Sequence, residues 1–317
     1  MSDASEHRLL SPRILIPFVL TGAIWGSTWL VITTQIDGVA PSWSITWRFI
    51  LATPAMFLLA LAMRRPLRLG AKGQALAVVI GLAQFCMNFN FVYRSELYLT
   101  SGIVAVMFAM LMVPNALFGR WLLGQRITRG FVLGSCVAGV GIALLLVHEA
   151  RTAPPFEGVE GGIWLGIALA VAGMLSASFA NVVQANEAGR ALPMVSLLAW
   201  SMLYGTGIDA AFAWFTAGPP TFPDSAVYWS GIVWLALAGS VVTFPLHYNL
   251  VRQIGAGRAA YNSIVTVIVA MVLTTLFEDY RWNALTASGA ALAFIGMLVA
   301  LRTRAPVPPK PVVPGGE

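Results

Sequence analysis

The sequence predicts an all-α integral membrane protein: ten transmembrane helices arranged as two inverted five-helix repeats. Three observations predict it. Of 317 residues, 58% are hydrophobic and only 10% charged, with a mean hydropathy of +0.79. A soluble domain carries roughly a quarter charged residues, so this chain lacks the charge to cover a globule. Apolar runs recur along the whole length, many near the ~20 residues that span a hydrocarbon core. Finally, stretches of the first half return in the second at a nearly constant offset.

Cutting the chain at charges, prolines and glycines sets each span in turn. The first, 14–36, is an apolar run longer than the h-region of a signal peptide and has no A-x-A-like cleavage site, so it reads as an uncleaved helix. The second, 43–63, follows Pro41 and stops at Arg64 and Arg65. The third, 73–93, runs from Lys72 to Arg94, and "RSELYLTS" must turn the chain into the fourth, 101–123. The fifth, 129–147, lies between Arg129 and His148, and the sixth, 162–186, follows "EGVEGG". Pro193 opens the seventh, 193–216, and Arg252 closes the eighth, 227–250. The ninth, 257–277, ends at Glu278, and the tenth, 284–301, ends at Arg302. The tail "APVPPKPVVPGGE" cannot continue a helix and is expected to lie disordered in water.

Lys and Arg distribute unevenly between the two sides. Fifteen fall at the termini and in the even-to-odd loops; Arg94, Arg151 and Arg281 make three on the other side. This bias predicts a multi-pass inner-membrane protein with both termini cytoplasmic. It also accounts for the formal charge of +6 without nucleic acid as a partner. Cys86 and Cys136 lie in apolar segments and form no metal-ligand pattern.

The internal repeat is legible in particular residues. "YRSELYLTSGIVAV" from Tyr93 aligns with "YNLVRQIGAGRAAY" from Tyr248, and "GSCVAGVG" from Gly134 with "GAALAFIG" from Gly289. Pro41 and Arg48 keep the spacing of Pro193 and Trp200, so the offset stays near 152–155 residues. The expected units are 14–148, 161–301 and a Pro-rich cytoplasmic tail, 302–317. Five spans per unit make the second enter the membrane from the opposite side, an arrangement that marks transporters with a site near the midplane.

Several stretches carry a family resemblance: "GAIWGSTWLVI" at 22–32, Pro41 with Arg48 and "FILA", "LTSGIVAV" at 99–106, "LLGQRIT" at 122–128 and "GSCVAGVGIALL" at 134–145. Together they resemble the drug/metabolite transporter superfamily in its EamA-type branch of ten-helix carriers, with the aromatic-amino-acid exporters as the nearest subgroup. The resemblance covers nearly all of 14–301. It departs where Gln125 stands in place of a frequent Glu, and where the second half lacks a counterpart of Pro114.

Polar side chains inside apolar spans are costly unless they face protein or a wet cavity. Trp43, Trp47, Trp121, Trp164, Trp214, Trp229 and Trp282 sit near span ends, as interfacial anchors do. Trp25 and Trp29 lie deeper and share a helix face at i, i+4. In "FCMNFNFVYR", Gln84 and Asn88 share a face leading to Tyr93, whereas Asn90 points elsewhere, towards a neighbouring helix. Tyr248, the repeat partner of Tyr93, is flanked by His247 and Asn249. The alternative for all of these is interhelical hydrogen bonding.

The candidate cavity residues are Trp25, Thr28, Gln84, Asn88, Met107, Ser176, Asn181 and Tyr261; the candidate gates are Tyr93, His247 and Tyr248. Glycines of the fifth and tenth spans read as close helix packing, and Pro54 and Pro114 as potential kinks. Arg48 reads as snorkelling, with a pairing to Asp209 left open. No nucleophile–base set, metal cluster or phosphate loop is visible, so neither catalysis nor a cofactor is expected. The expected activity is secondary export of small neutral or zwitterionic metabolites, amino acids and aromatic ones foremost. Export of hydrophobic drugs or other metabolites is the alternative, and an intramembrane enzyme the reading from another class. Expected partners are a small-molecule substrate and the lipid bilayer, with the chain a monomer or homodimer.

Overall fold

The computed structural model describes residues 11–152, 162–254, 259 and 261–302. The tail from 303, Glu157, Glu160, Gly257 and Arg258 lie outside the described residues. Ten long helical segments follow one another: α1 Pro12–Thr33, α2 Pro41–Ala62, α3 Gly70–Ser95, α4 Ser101–Leu123 and α5 Arg129–Thr152, then α6 Gly162–Gln184, α7 Met194–Ala217, α8 at 226–254, α9 Asn262–Phe277 and α10 Ala284–Arg302. A short helix, Glu187–Ala191, joins α6 to α7. Among the described residues there is no strand. Among the described residues, eight helices are long and apolar enough to cross a membrane; α7 and α9 fall outside that set. Asp209 and neighbouring small polar residues lower the hydropathy of the 24-residue α7, and α9 spans 16 residues.

Local chemistry explains the element ends and breaks. Pro41 opens α2 because its missing N–H is one a first helical turn leaves unbonded anyway. α1 stops at Thr33, short of the expected Ile36, and Gly38 adopts φ +71 in the following turn. Within α4 the helix breaks at Met110 and Leu111, the turn before Pro114. A proline ring clashes with the carbonyl four residues back and supplies no hydrogen bond to it, which places the break there. Pro54 leaves α2 continuous.

α3 and α8 each widen into a π-helical segment, Gly81–Asn88 and Trp234–Val242. These stand at the offset of the sequence repeat. π-segments of this kind are often found at functional sites, because the misfit of the hydrogen-bond ladder frees carbonyls for side chains. Here Ser240 Oγ donates to Leu235 O at 2.9 Å, and Gly239 O accepts from Thr243 Oγ1 at 2.8 Å.

Helices of the two halves pack across one another in matched pairs. α3 meets α6 and α7 as α8 meets α1 and α2, α4 meets α9 and α6 while α1 meets α9, and α2–α7 and α5–α10 pack directly. The α5–α10 pair is drawn together by glycine: a methyl on Gly134 would lie 2.3 Å from Ala300 N, and one on Gly296 2.2 Å from Ala138 N. The largest core cluster gathers Ile45, Phe49, Phe85, Tyr93, Leu198 and Leu235 between α2, α3, α7 and α8. Trp121, Trp164 and Phe215 project outward, as lipid-facing residues do. Trp43 departs from the interfacial reading: it is buried, and its indole donates to Gly218 O at 3.2 Å, pinning the α7–α8 connection.

Candidate functional site

An aromatic line crosses from α1 through α8 and α3 to α2. Trp25 stands 4.9 Å from the His247 ring and 5.8 Å from Phe244. Phe244 meets Phe85 at 5.9 Å, Phe85 meets Phe49 at 5.2 Å, and Phe49 meets Phe89 at 5.0 Å. Edge-on contacts at these distances build rigid walls at small entropic cost. The Trp25 indole donates to Gly239 O at 3.3 Å, inside the second π-segment. Thr28 lies one turn on and donates to Trp25 O at 2.7 Å, turning its methyl towards Gly239.

The predicted site residues divide by position. Trp25, Thr28, His247 and Tyr248 come together, with Tyr248 Oη donating to Gln184 Oε1 of α6 at 2.5 Å. Gln84 is half-buried and Asn88 buried, both in the first π-segment, and Asn88 Oδ1 has no hydrogen-bond partner. His247 Nδ1 and Trp29 Nε1 are likewise buried without partners. Ser176 and Asn181 are half-buried on α6. Met107 lies elsewhere, in an apolar cluster with Ile103, Leu145 and Met271. Tyr261 packs at the start of α9 against the cluster of Met112, Phe131 and Met297.

Two polar arrangements fill the other end of the line. Arg48 is 2% exposed and donates to Ser240 Oγ from Nε at 3.3 Å and from Nη2 at 3.1 Å. Its Nη1 reaches Tyr93 Oη at 3.4 Å, and its guanidinium lies over Phe89 at 4.5 Å. Arg48 therefore faces protein and does not snorkel. It does not pair with Asp209 either. That carboxylate accepts from Thr46 Oγ1 at 2.7 Å and from Asn90 Nδ2, with Cys86 Sγ at 3.9 Å. Asn90 Oδ1 in turn accepts from Ser42 Oγ at 2.8 Å and from Arg94, which also donates to Ser42 at 2.8 Å. Reading the sequence by depth alone missed this lattice. The signal was present as spacing: Cys86, Asn90 and Arg94 stand at i, i+4, i+8 on α3, and Ser42 and Thr46 at i, i+4 on α2.

Glu96, just past the end of α3, is buried with both carboxylate oxygens unbonded. Burial, and then the charge of Glu278, raise its pKa well above the usual carboxylate range. Glu278 itself accepts from Ser101 Oγ at 2.5 Å, tying the end of α9 to the start of α4.

Comparison with known proteins adds an independent line. The model of the EamA-like transporter family matches residues 13–147 and again 164–302. Protein PagO of Salmonella typhimurium is 22% identical over 91% of each chain. The uncharacterized inner membrane transporter YedA of Escherichia coli K12 is 26% identical, over 92% of this chain and 91% of its own. A probable terminal-alkyne amino-acid exporter of Streptantibioticus cattleyicolor is 23% identical, over 90% and 92%. A solved crystal structure superposes with a TM-score of 0.64 at 18% identity, over 89% of this chain and 94% of the other, and speaks to the fold alone. With apolar helices able to span a bilayer many times over, and a family match across most of its length, this chain is a multi-pass membrane protein belonging to the EamA-like transporter family.

Proposed function

We propose that the protein is a secondary transporter that exports small neutral or zwitterionic metabolites, amino acids and aromatic ones foremost, by alternating access through a central cavity. In this reading all ten long helices span the inner membrane as two inverted units, 14–148 and 161–301, followed by the cytoplasmic tail 302–317. The observation that carries it is the pair of π-segments at the repeat offset: the first sets Phe85 in the aromatic line and carries Gln84 and Asn88, and the second offers Gly239 O to Trp25 and Ser240 to Arg48. A ring-walled site lined by amides and hydroxyls suits a planar side chain joined to a polar head. The counterpart contacts between halves support the inverted arrangement, and the relative named as an amino-acid exporter supports the substrate class. A monomer or homodimer in the bilayer fits this reading, which needs neither a cofactor nor a nucleic-acid partner.

Export of hydrophobic drugs is the second reading. It is favoured by an apolar crevice of about 250 Å³ between α4, α5, α9 and α10, lined by residues such as Met110, Ile142, Met271 and Phe294. Transport of a panel of labelled amino acids into liposomes holding the purified protein, with and without a pH gradient, separates the readings. Saturable movement of aromatic amino acids is expected; movement of apolar dyes alone refutes the first reading. Reporter fusions at Arg68 and Arg126 are expected to report inside, and fusions at Glu157 and Asp224 outside. The opposite sign refutes the topology.

A further inference from the structure

Arg48 is a buried cation whose partners carry no formal negative charge. Its guanidinium offers five N–H donors, of which three reach the hydroxyls of Ser240 and Tyr93. Its remaining neighbours include the Phe89 ring at 4.5 Å and the Phe49 ring at 5.3 Å. Isolated charge inside a membrane protein is expensive, and such residues are ordinarily paired. The same chain shows ordinary pairing close by, where Arg94 reaches Asp209 through the single amide of Asn90. Arg48 lacks any such arrangement, and Asp209 is already engaged by Thr46 and Asn90.

The hydroxyl bonds to Arg48 are also long, at 3.1 to 3.4 Å. Guanidinium–carboxylate bonds close to about 2.7–2.9 Å and match the planar fork in pairs. A carboxylate would match the fork better than the hydroxyls do, and two N–H groups are unspent. Arg48 is also tied to the aromatic line through a closely packed turn. Ser240 follows Gly239, whose carbonyl takes the Trp25 indole, and a methyl added at Gly239 would stand 3.5 Å from Arg48 Nη2 and 2.8 Å from the Thr28 methyl.

From this we infer that Arg48 binds the carboxylate of the cargo, so that the substrates are small carboxylate-bearing molecules, zwitterionic amino acids among them. The inference rests on the transporter reading above and narrows it: the head group is held by a buried cation as well as by neutral amides and hydroxyls.

The test uses purified full-length protein, in liposomes for exchange of labelled phenylalanine and in detergent for thermal stabilisation by ligand. Competitors are phenylalanine, phenylalanine amide, phenethylamine and phenylacetate. Wild type is expected to prefer the free acid over the amide by about ten- to hundredfold, the worth of a charge-assisted contact. Phenylacetate is expected to raise its melting midpoint where phenethylamine does not. Arg48→Gln is expected to bring the acid-to-amide ratio close to one, and Arg48→Lys to restore part of it. A purely structural Arg48 would lower transport of every competitor alike and leave that ratio unmoved, which overturns the inference. If Arg48→Gln does not fold, wild type alone decides, since equal competition by acid and amide overturns it too. Arg48-dependent stabilisation by phenylacetate without amino-acid exchange removes the export reading and leaves the carboxylate site standing. With neither exchange nor stabilisation, both fall.

Discussion

Replacing Asn90 with alanine probes the polar lattice at its most connected member. The Asn90 amide accepts from Ser42 and Arg94 and donates to Cys86 O at 3.0 Å and to Asp209. Without it, Asp209 Oδ1 retains a thiol at 3.9 Å, and Arg94 retains Ser42 and the main-chain carbonyl of residue 90. Two scales compete for the magnitude. An interhelical hydrogen bond in a bilayer averages ~0.6 kcal/mol, because the separated helices find other partners. Removing one member of a buried charged network costs roughly 3–5 kcal/mol, because the charges left behind are desolvated and unpaired. The larger scale governs here, since Asp209 is 0% exposed. A loss of about 3 kcal/mol corresponds to a fall in melting midpoint of about 4–5 °C for a chain of this length. The assay is thermal unfolding of the purified variant in detergent, run beside Asp209→Asn and the double variant. Asn90 and Asp209 touch, so their effects are expected to be non-additive. A fall within about 2 °C and strict additivity would refute the network account and reduce Asn90 to a single replaceable bond.

Three other outcomes are expected. Asn88→Ala is expected to change transport rate or preference with little change in stability, and cysteine introduced at position 88 to react with a water-soluble thiol reagent more slowly when substrate is present, in a background lacking Cys86 and Cys136; an unreactive cysteine together with normal transport in the alanine variant makes Asn88 a packing residue. Asp209→Asn is expected to retain substantial transport because the lattice, rather than a proton relay, accounts for its partners; complete loss in a folded, inserted variant refutes that. Glu96 has a folded pKa raised by burial and by Glu278, so its contribution to stability is complete below an unfolded value of about 4.3 and is lost as pH rises through the folded value. Glu96→Gln is therefore expected to flatten the decline of thermal stability across that alkaline-going window, and an unchanged pH slope would count against it.

Much of the helical layout was legible because it depends on local rules that act on single residues. Pro41 opens α2, "RSELYLTS" turns the chain between α3 and α4, and the glycines of α5 and α10 are where close packing requires them. The π-segments were not legible: Gly81–Asn88 and Trp234–Val242 have the composition of ordinary apolar helix, and their widening depends on what packs against them. Among candidate site residues, Trp25, His247 and Tyr248 share one cluster; the repeat relation to Tyr93 points to Tyr248 and its neighbour His247, whereas Trp25 is picked out by its depth in the first span. Met107 sits in apolar packing, where residue type and depth gave no warning. For Arg48 the sequence offers only nearness to a span end, a one-dimensional measure. Its actual surroundings, Ser240 and Tyr93, come from α8 and α3 and depend on tertiary packing.

The two repeat-related tyrosines connect these features. Tyr93 is fully buried and accepts from Arg48, while Tyr248 is half-buried and donates to Gln184. In the inverted arrangement proposed above, equivalent positions thus hold the same residue type in different bonds, one to a cation and one to a neutral amide. Under the alternating access proposed above, rocking of the halves would exchange the environments of equivalent ends, and matched ends that differ in one static arrangement fit that motion. The bonds that must open are unequal in kind. Tyr248 gives up a neutral partner that water can replace, whereas Tyr93 leaves behind a buried guanidinium. Under the carboxylate proposal the cargo supplies the missing anion as Tyr93 departs, which makes opening at that end easier with cargo bound than without it. If the chain exports as proposed, that inequality limits leakage along an empty pathway, and it arises from one residue, Arg48, standing where its repeat partner is Trp200.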